Sequence, residues 1–358
     1  MGKQKVDWAT CDTFPRIHHH ERQPTMSQQH LLEAHRVVFP DRGQVELEQF
    51  DVPAAGPGQV RLRTEFSLIS TGTETTALSG SFEPGSHWDS YVQYPFLPGY
   101  TATAVVEELG ADVDGLQVGD RVMSRIPHAS HAVVDAVECF PIPAAIPSEV
   151  APWATLAQVA YVGAVAAEHR LRDSVLVIGA GPIGQMSVRW AAAAGVESIV
   201  VADIAPRRLE LAQWGGATAI VTGDPADHAE QIVEACFGES PRVVIDTTGR
   251  SEMLPKALGL VRDRGTVVLL GDPGSPSEQH LTMDVITRGL QIRGAHGPLL
   301  LDVEAETYRS FFGLNISGRL SLDGLNTHRF APKDCAEAYR LVSTQRGETM
   351  GVIFDWTD

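Results

Sequence analysis

The run Val175-Leu176-Val177-Ile178-Gly179-Ala180-Gly181-Pro182-Ile183-Gly184 constrains this chain more than any other stretch. A short β-branched, apolar segment breaks into Gly-x-Gly-x-x-Gly. A second apolar run, Ser198-Ile199-Val200-Val201-Ala202, ends in an acid, Asp203, nineteen residues after the last glycine. Glycines alone would say little. Strand, glycines, helix, strand and terminal acid in register predict a βαβ unit that holds a dinucleotide. Gly179 permits the tight turn out of the strand, Gly181 lets backbone approach a pyrophosphate, and Gly184 lets the helix pack close to the sheet. The helix opening at Pro182 and Ile183 aims unpaired N–H groups and its positive dipole end at the phosphates. Asp203 can accept hydrogen bonds from the adenosine ribose and repels a 2′-phosphate. NAD is therefore expected over NADP, although Arg207 and Arg208 are residues of the type that binds such a phosphate.

The texture changes along the chain. From about residue 34 to 145, short strands (60–64, 102–107, 120–123) are separated by Pro53, Pro57, Gly58, Gly110, Gly115 and Gly119, which predicts a largely antiparallel, barrel-like domain. From about 152, strands at 175–178, 199–202, 219–221, 243–245, 266–270 and 290–292 alternate with helices such as 182–194 and 207–214. That alternation predicts an α/β fold with a doubly wound parallel sheet. After about 298 the chain is mixed, with a helix at 332–343 and a last strand at 351–354 that returns to the first domain. The apolar stretch 151–167 contains Pro152, Gln158 and Gly163 and reads as a buried helix, not a membrane span.

Bulk properties exclude several classes. A net charge of −17 argues against nucleic acid or an anionic membrane as partner. The cysteines Cys11, Cys139, Cys236 and Cys335 are far apart and form no Cys-x-x-Cys, so neither a disulfide framework nor a cysteine zinc lobe is expected. The first residues are polar, carry His18-His19-His20 and lack the apolar region of a secretory signal, so residues 1–30 read as a disordered tail with Met26 a candidate natural start. A cytoplasmic enzyme acting on a small molecule is expected.

The order of barrel, dinucleotide domain and short return resembles the medium-chain dehydrogenase/reductase superfamily. Ile69-Ser70-Thr71-Gly72-Thr73-Glu74 resembles the segment that normally reads Cys-Gly-Thr-Asp. Pro98-Gly99-Tyr100-Thr101 resembles the usual Gly-His-Glu, and Val118-Gly119-Asp120-Arg121-Val122 the Gly-Asp-Arg-Val turn. The resemblance implies a Rossmann doubly wound parallel sheet, residues 166–298, and a GroES-like, mainly antiparallel β-barrel catalytic domain, residues 31–165 with 299–358. The departures matter more. Zinc needs three protein ligands and an open position. Here the ligand positions read Thr71, Tyr100 and Thr101, with Thr155-Leu156-Ala157-Gln158 at the later one, and the four-cysteine lobe is missing. Neither catalytic nor structural zinc is expected. The segments Ile69-Ser70-Thr71-Gly72-Thr73-Glu74 and Tyr94-Pro95-Phe96-Leu97-Pro98-Gly99-Tyr100 also resemble bacteriochlorophyllide a dehydrogenases, which oxidise a hydroxyethyl group. The rest looks more like polyol and threonine dehydrogenases.

Without zinc, a side chain or water must take the alcohol proton and support alkoxide character. Thr73, at the family's hydroxyl-relay position, is the leading candidate, then Tyr100, with Thr71 and Glu74 behind. Each also has a plain structural reading: Thr71 and Thr73 as turn caps, Tyr100 as pocket lining, Glu74 as an ion-pair partner. His87, Trp88, Tyr91 and Tyr94 form an aromatic insertion expected to wall the substrate together with Gln158; His128 and His131 follow the Gly-Asp-Arg-Val strand. By the resemblance, Arg208 meets the ribose, Thr247, Thr248 and Gly271 line the cofactor, and His296 lies near the nicotinamide. The leading expectation is a zinc-independent, NAD-dependent dehydrogenase of a secondary alcohol, homodimeric through strands near 290–294. The rivals are an enoyl or quinone reductase and a non-catalytic NAD-binding sensor.

Overall fold

The computed structural model describes residues 31–297 and 303–357. The tail expected over residues 1–30, with its histidine triplet, lies outside these. The first half opens with a two-stranded antiparallel ribbon, β1 (Leu32–Val38) and β2 (Glu46–Val52). A larger sheet follows, from β3 (Gln59–Leu68), β4 (Ala102–Leu109), β5 (Arg121–Ser124), β6 (His131–Asp135) and β7 (Phe140–Pro141). Strand β3 is its hub, antiparallel to both β4 and β6. Its pattern shows why: Val60, Leu62 and Thr64 are buried while Arg61 and Arg63 alternate outward. Helices α1 (Thr71–Ser79) and α2 (His87–Tyr91) fill the connection from β3 to β4. The buried helix α3 (Trp153–Ala167) leads out of this half.

The second half alternates β8 (Ser174–Ile178), α4 (Pro182–Ala193), β9 (Ser198–Asp203), α5 (Pro206–Trp214), β10 (Ala219–Thr222), α6 (Ala229–Ala235), β11 (Val243–Asp246), α7 (Met253–Leu260), β12 (Thr266–Leu269), α8 (Asp284–Thr287) and β13 (Gln291–Gly294). The six strands form one sheet in the order β10-β9-β8-β11-β12-β13, and every pairing is parallel. Strands β8 and β11 are apolar throughout their centres because helices cover both faces, with separate cores on either side. The chain runs outward from β8 in one direction, then returns to β11 and runs out in the other. The carboxyl ends of β8 and β11 therefore flank the switch point, where a ligand crevice forms in such sheets.

The last segment contains α9 (Glu304–Ile316), β14 (Asn326–Phe330), α10 (Cys335–Thr344) and β15 (Gly351–Asp355). Strand β15 pairs antiparallel with β3 and parallel with β14, which completes the seven-stranded sheet. The helix expected over 332–343 divides into a 3₁₀ turn, Pro332–Asp334, and α10. Proline lacks an N–H, so it starts a helix but cannot continue one. One core joins the halves: Leu68, Met123 and Ile353 of the first sheet share a cluster with Ala157, Met186, Trp190, Tyr308 and Phe311. The Trp190 indole donates to the Ala157 carbonyl (2.8 Å) and the Trp153 indole to the Asn326 amide oxygen (2.7 Å). Among the described residues no helix is long and apolar enough to cross a membrane.

Candidate active site

The glycine turn shows what each missing side chain allows. Gly179 has φ +93, and a Cβ there would stand 2.8 Å from the Thr247 hydroxyl. A Cβ on Gly184 would come within 1.9 Å of the Gly179 carbonyl oxygen, so α4 can sit this close only without one. Gly181 differs: a Cβ would meet only the Arg208 guanidinium, at 3.6 Å, so this glycine keeps space open in front of the helix. Helix α4 starts at Pro182 with no side-chain cap, which leaves its first N–H groups available. Asp203 ends β9 with one carboxylate oxygen accepting from the Ala180 N–H (2.6 Å) and the other from the Ala205 N–H (2.8 Å). The Arg208 guanidinium donates to the Arg346 and Thr349 carbonyls, yet its Nε is buried without a partner. An open glycine turn, an uncapped helix start, an acid at the end of β9 and an orphaned guanidinium nitrogen fit a dinucleotide.

Next to it, Thr247 donates to the Ile178 carbonyl (3.0 Å), and Thr248 donates through N–H and hydroxyl to Asp246 (2.9 and 2.7 Å). Burial raises the Asp246 carboxyl above its ordinary range. A Cβ on Gly271 would fall 2.2 Å from the Gly249 nitrogen, so the loops after β11 and β12 touch. His296 follows β13, and its ring stands edge-on to His87 of α2 at 5.4 Å. His87 in turn stacks on Tyr91 at 6.0 Å. The aromatic insertion therefore reaches across to the dinucleotide half. Two further contacts hold it there: the Glu83 N–H donates to the Gly274 carbonyl (2.9 Å), and the Ser277 hydroxyl to the Glu83 carboxylate (2.6 Å).

The other wall is built from hydroxyls. Tyr100 donates to the Ser70 hydroxyl (2.6 Å), which contacts the Thr73 hydroxyl (3.4 Å). Ser70 is the N-cap position of α1, but its oxygen makes no cap bond and is left for Tyr100. Burial raises the Tyr100 phenol above its ordinary range, against the lowering pull of Ser70, Thr73 and the Arg125 charge. Thr71 is buried in the first turn of α1, its carbonyl accepting from Thr75 (2.6 Å). The Glu74 carboxylate points away from the cleft. One oxygen accepts from the Ser70 N–H (2.7 Å), the other from the Tyr339 phenol (2.5 Å), and the second also meets His128 Nε2 (3.0 Å). His128 Nδ1 lies 2.7 Å from the Ser67 hydroxyl, which accepts from the Trp356 indole (2.9 Å). Nε2–H donates to Glu74, and Nδ1 and the Ser67 hydroxyl form the second bond of the ring.

The structure separates the residues expected to wall the substrate. Gln158 is buried at the cleft, its amide donating to the Gly297 carbonyl (3.1 Å). Trp88 packs in the core with Val37, Phe39 and Tyr339, behind the wall. Tyr94 turns its hydroxyl onto the Ala77 carbonyl. Sequence reasoning passed over Arg125, which directly follows β5. Its Nε donates to Glu304 (2.5 Å) and one Nη to the Gln158 amide oxygen (3.1 Å). Burial works against its charge, but Tyr308 and Glu304 outweigh that and hold it firmly protonated. The clue was a cation set between Met123 and Ile126, both buried. Ser70 was passed over for a different reason, since serine at a helix start normally reads as a cap.

The donors at the zinc-ligand positions do not fit zinc. Thr101 is buried, donates to the Pro152 carbonyl (2.7 Å) and accepts from Thr155 (2.9 Å). Tyr100 is committed to Ser70, and Gln158 to Arg125 and Gly297. A neutral set of hydroxyls and an amide beside a guanidinium lacks the thiolate, imidazole or carboxylate ligands zinc requires. Among the described residues no group of three or more His, Cys, Asp or Glu is placed to hold a metal ion.

Residues 56–167 match the family model for an alcohol dehydrogenase GroES-like domain, and residues 182–311 the model for a zinc-binding dehydrogenase. L-threonine 3-dehydrogenase of Pyrococcus abyssi (strain GE5 / Orsay) is 28% identical over 343 residues, covering 86% of this chain and 94% of that protein. Among solved structures, galactitol-1-phosphate dehydrogenase from Escherichia coli superposes with a TM-score of 0.77 at 20% identity, covering 90% of this chain and 99% of that one. An alcohol dehydrogenase from E. coli CFT073 complexed with NADH gives a TM-score of 0.76 at 20% identity, with 90% and 99% covered. These structural likenesses show a shared fold.

Proposed function

This chain belongs to the medium-chain dehydrogenase/reductase superfamily as an oxidoreductase acting on CH–OH groups, and on that premise we propose a zinc-independent, NAD(H)-dependent enzyme that interconverts a secondary alcohol and a ketone on a polyol, cyclitol or specialised metabolite. The observation that carries this reading is the hydroxyl chain from Tyr100 through Ser70 to Thr73 at the positions where relatives would carry metal ligands and a relay hydroxyl.

The cofactor supplies the hydride acceptor or donor. Gly179, Gly181, Pro182, Ile183 and Gly184 would cradle its phosphates, Asp203 and Arg208 its ribose, and Thr247, Thr248, Gly271 and His296 its nicotinamide side. In the oxidation direction the substrate hydroxyl proton passes to the Tyr100 oxygen as the phenol proton shifts to Ser70, the Ser70 proton to Thr73, and the Thr73 proton to solvent water at that half-exposed side chain. A concerted shift leaves every member neutral, which suits a phenol that burial keeps protonated. Glu74 and Thr71 position this chain, since Glu74 fixes the Ser70 backbone. His87, Tyr91 and Gln158 wall the substrate, with Trp88 and Tyr94 supporting them from behind. We assign residues 31–165 and 299–358 to the catalytic domain and 166–298 to the dinucleotide domain. We also assign a cytoplasmic homodimer, supported by the open edge of β13 beside exposed Leu281, Met283 and Ile286. Light scattering that gives a monomer would remove the dimer.

The test is nicotinamide absorbance with NAD and a panel of secondary alcohols, using protein cleaved of residues 1–30 and a metal chelator. Chelator-resistant NADH formation is expected. Activity lost with the chelator and restored by zinc would overturn the reading.

A further inference from the structure

Arg125 brings a full positive charge to the cleft, and its partners use only part of it. A guanidinium has five N–H donors in one plane. The Nε donor goes to Glu304 (2.5 Å) and one Nη2 donor to Gln158 (3.1 Å). These two lie along one edge of the fork. Among the described residues Nη1 has no hydrogen-bond partner, so its two donors and the second Nη2 donor are not taken up by these contacts. The side chain keeps 28% of its exposure, so it is not sealed in the core.

Its partners place the side chain between two parts of the cleft. Gln158 ties Arg125 to Gly297, one residue from His296 on the expected nicotinamide side. On the other side, the Arg125 charge reaches both Tyr91 and Tyr100. The fork thus lies between the loop that would flank the nicotinamide and the phenol that would receive the substrate proton. Glu304 is itself held by the Tyr308 phenol, so the guanidinium is braced from behind and cannot swing away.

We propose that the substrate is a hydroxy acid, reduced form of a keto acid, whose carboxylate docks on the Nη1–Nη2 edge of Arg125 while its carbinol faces Tyr100. Two parallel N–H donors match the two oxygens of a carboxylate, a fit that one alcohol oxygen does not use. The assignment names the substrate class for the site proposed above and rests on that reading. Glu304 tempers the charge, because the arriving carboxylate meets an ion pair rather than a lone cation.

The test is binding of isobutyrate, against isobutyramide as its uncharged match, to the NADH-saturated enzyme, followed by NADH fluorescence. NADH is used because it lacks the positive ring that would attract any anion. Wild type is expected to prefer the carboxylate. Arg125→Lys keeps the charge but loses the fork, and should weaken isobutyrate by about tenfold or more while leaving isobutyramide unchanged. Glu304→Gln removes the compensating charge and should tighten isobutyrate by about tenfold. Thermal melts confirm that both variants fold. Equal affinity for acid and amide, or isobutyrate affinity unmoved in both variants, would overturn the proposal and leave Arg125 as an internal ion pair. Failure of wild type to bind NADH would instead overturn the dehydrogenase reading. In that case the same titrations, read by thermal shift without cofactor, decide Arg125 separately.

Discussion

The two walls of the cleft are built on different principles. The dinucleotide wall comes mostly from one contiguous βαβ unit, in which Gly179, Gly181 and Gly184 are set by backbone geometry and Asp203 by the end of the next strand. The substrate wall draws Ser70 and Thr73 from α1, Tyr100 from the approach to β4, Arg125 from the end of β5, Gln158 from α3 and Glu304 from α9. One wall is a local motif. The other exists only once distant segments have packed together. A local motif can be adapted to new substrates only by leaving it alone, whereas an assembled wall can change one segment at a time.

Four measurements would break or sharpen that contrast. The largest effect should come from Tyr100→Phe, which removes the first member of the hydroxyl chain. Turnover should fall by about a hundredfold or more with NAD affinity intact, measured by steady-state kinetics and NADH fluorescence. Unchanged turnover would mean the wall is assembled for shape alone. Gly184→Ala tests the other wall. Its Cβ would meet the Gly179 carbonyl oxygen at 1.9 Å, so α4 must move. A loss of ~1–3 kcal/mol in denaturant unfolding is expected, with weaker NAD binding. Asp203→Asn should shift the ratio of NAD to NADP efficiency by about tenfold toward NADP, since a charge-assisted bond is lost and a repulsion removed. The smallest effect concerns pH. Burial raises the Tyr100 phenol above its ordinary value of 10.0. The concerted relay works with that phenol protonated, so alcohol oxidation and ketone reduction should both show no inflection with pH below that value. An inflection near neutrality would name a histidine in its place.

How far the sequence could be read follows the same division. Strands 175–178 and 199–202 were legible to within a residue or two, because period, glycine punctuation and terminal acid are all nearest-neighbour signals. The return of the last strand to the first sheet was also legible. What could not be read was pairing across distance. The Glu74 acid at the head of α1 could have met solvent, a metal-site histidine or a lysine. That it meets Tyr339, 265 residues away, is a fact of packing. Trp88 and Tyr94 share an aromatic segment with His87, but α2 ends at Tyr91: Trp88 packs into the core, while Tyr94, beyond the helix, bonds the Ala77 carbonyl. Arg125 carried no motif at all; its meaning comes from Gln158 and Glu304, which only the fold places beside it.

The pairing of β15 with β3 has a consequence for how the molecule comes into being. Ser67, on β3, accepts a bond from Trp356, 289 residues further on. A chain emerging amino end first holds its early strands without their last partner until synthesis is nearly over, while the parallel sheet from β8 to β13 can close on its own neighbours much sooner. The parallel-sheet half is ready before the half that carries Ser70 and Tyr100. On the function proposed above, a nascent or carboxyl-truncated chain that stops before Gly351 would be a molecule able to hold a dinucleotide with no finished path for a proton.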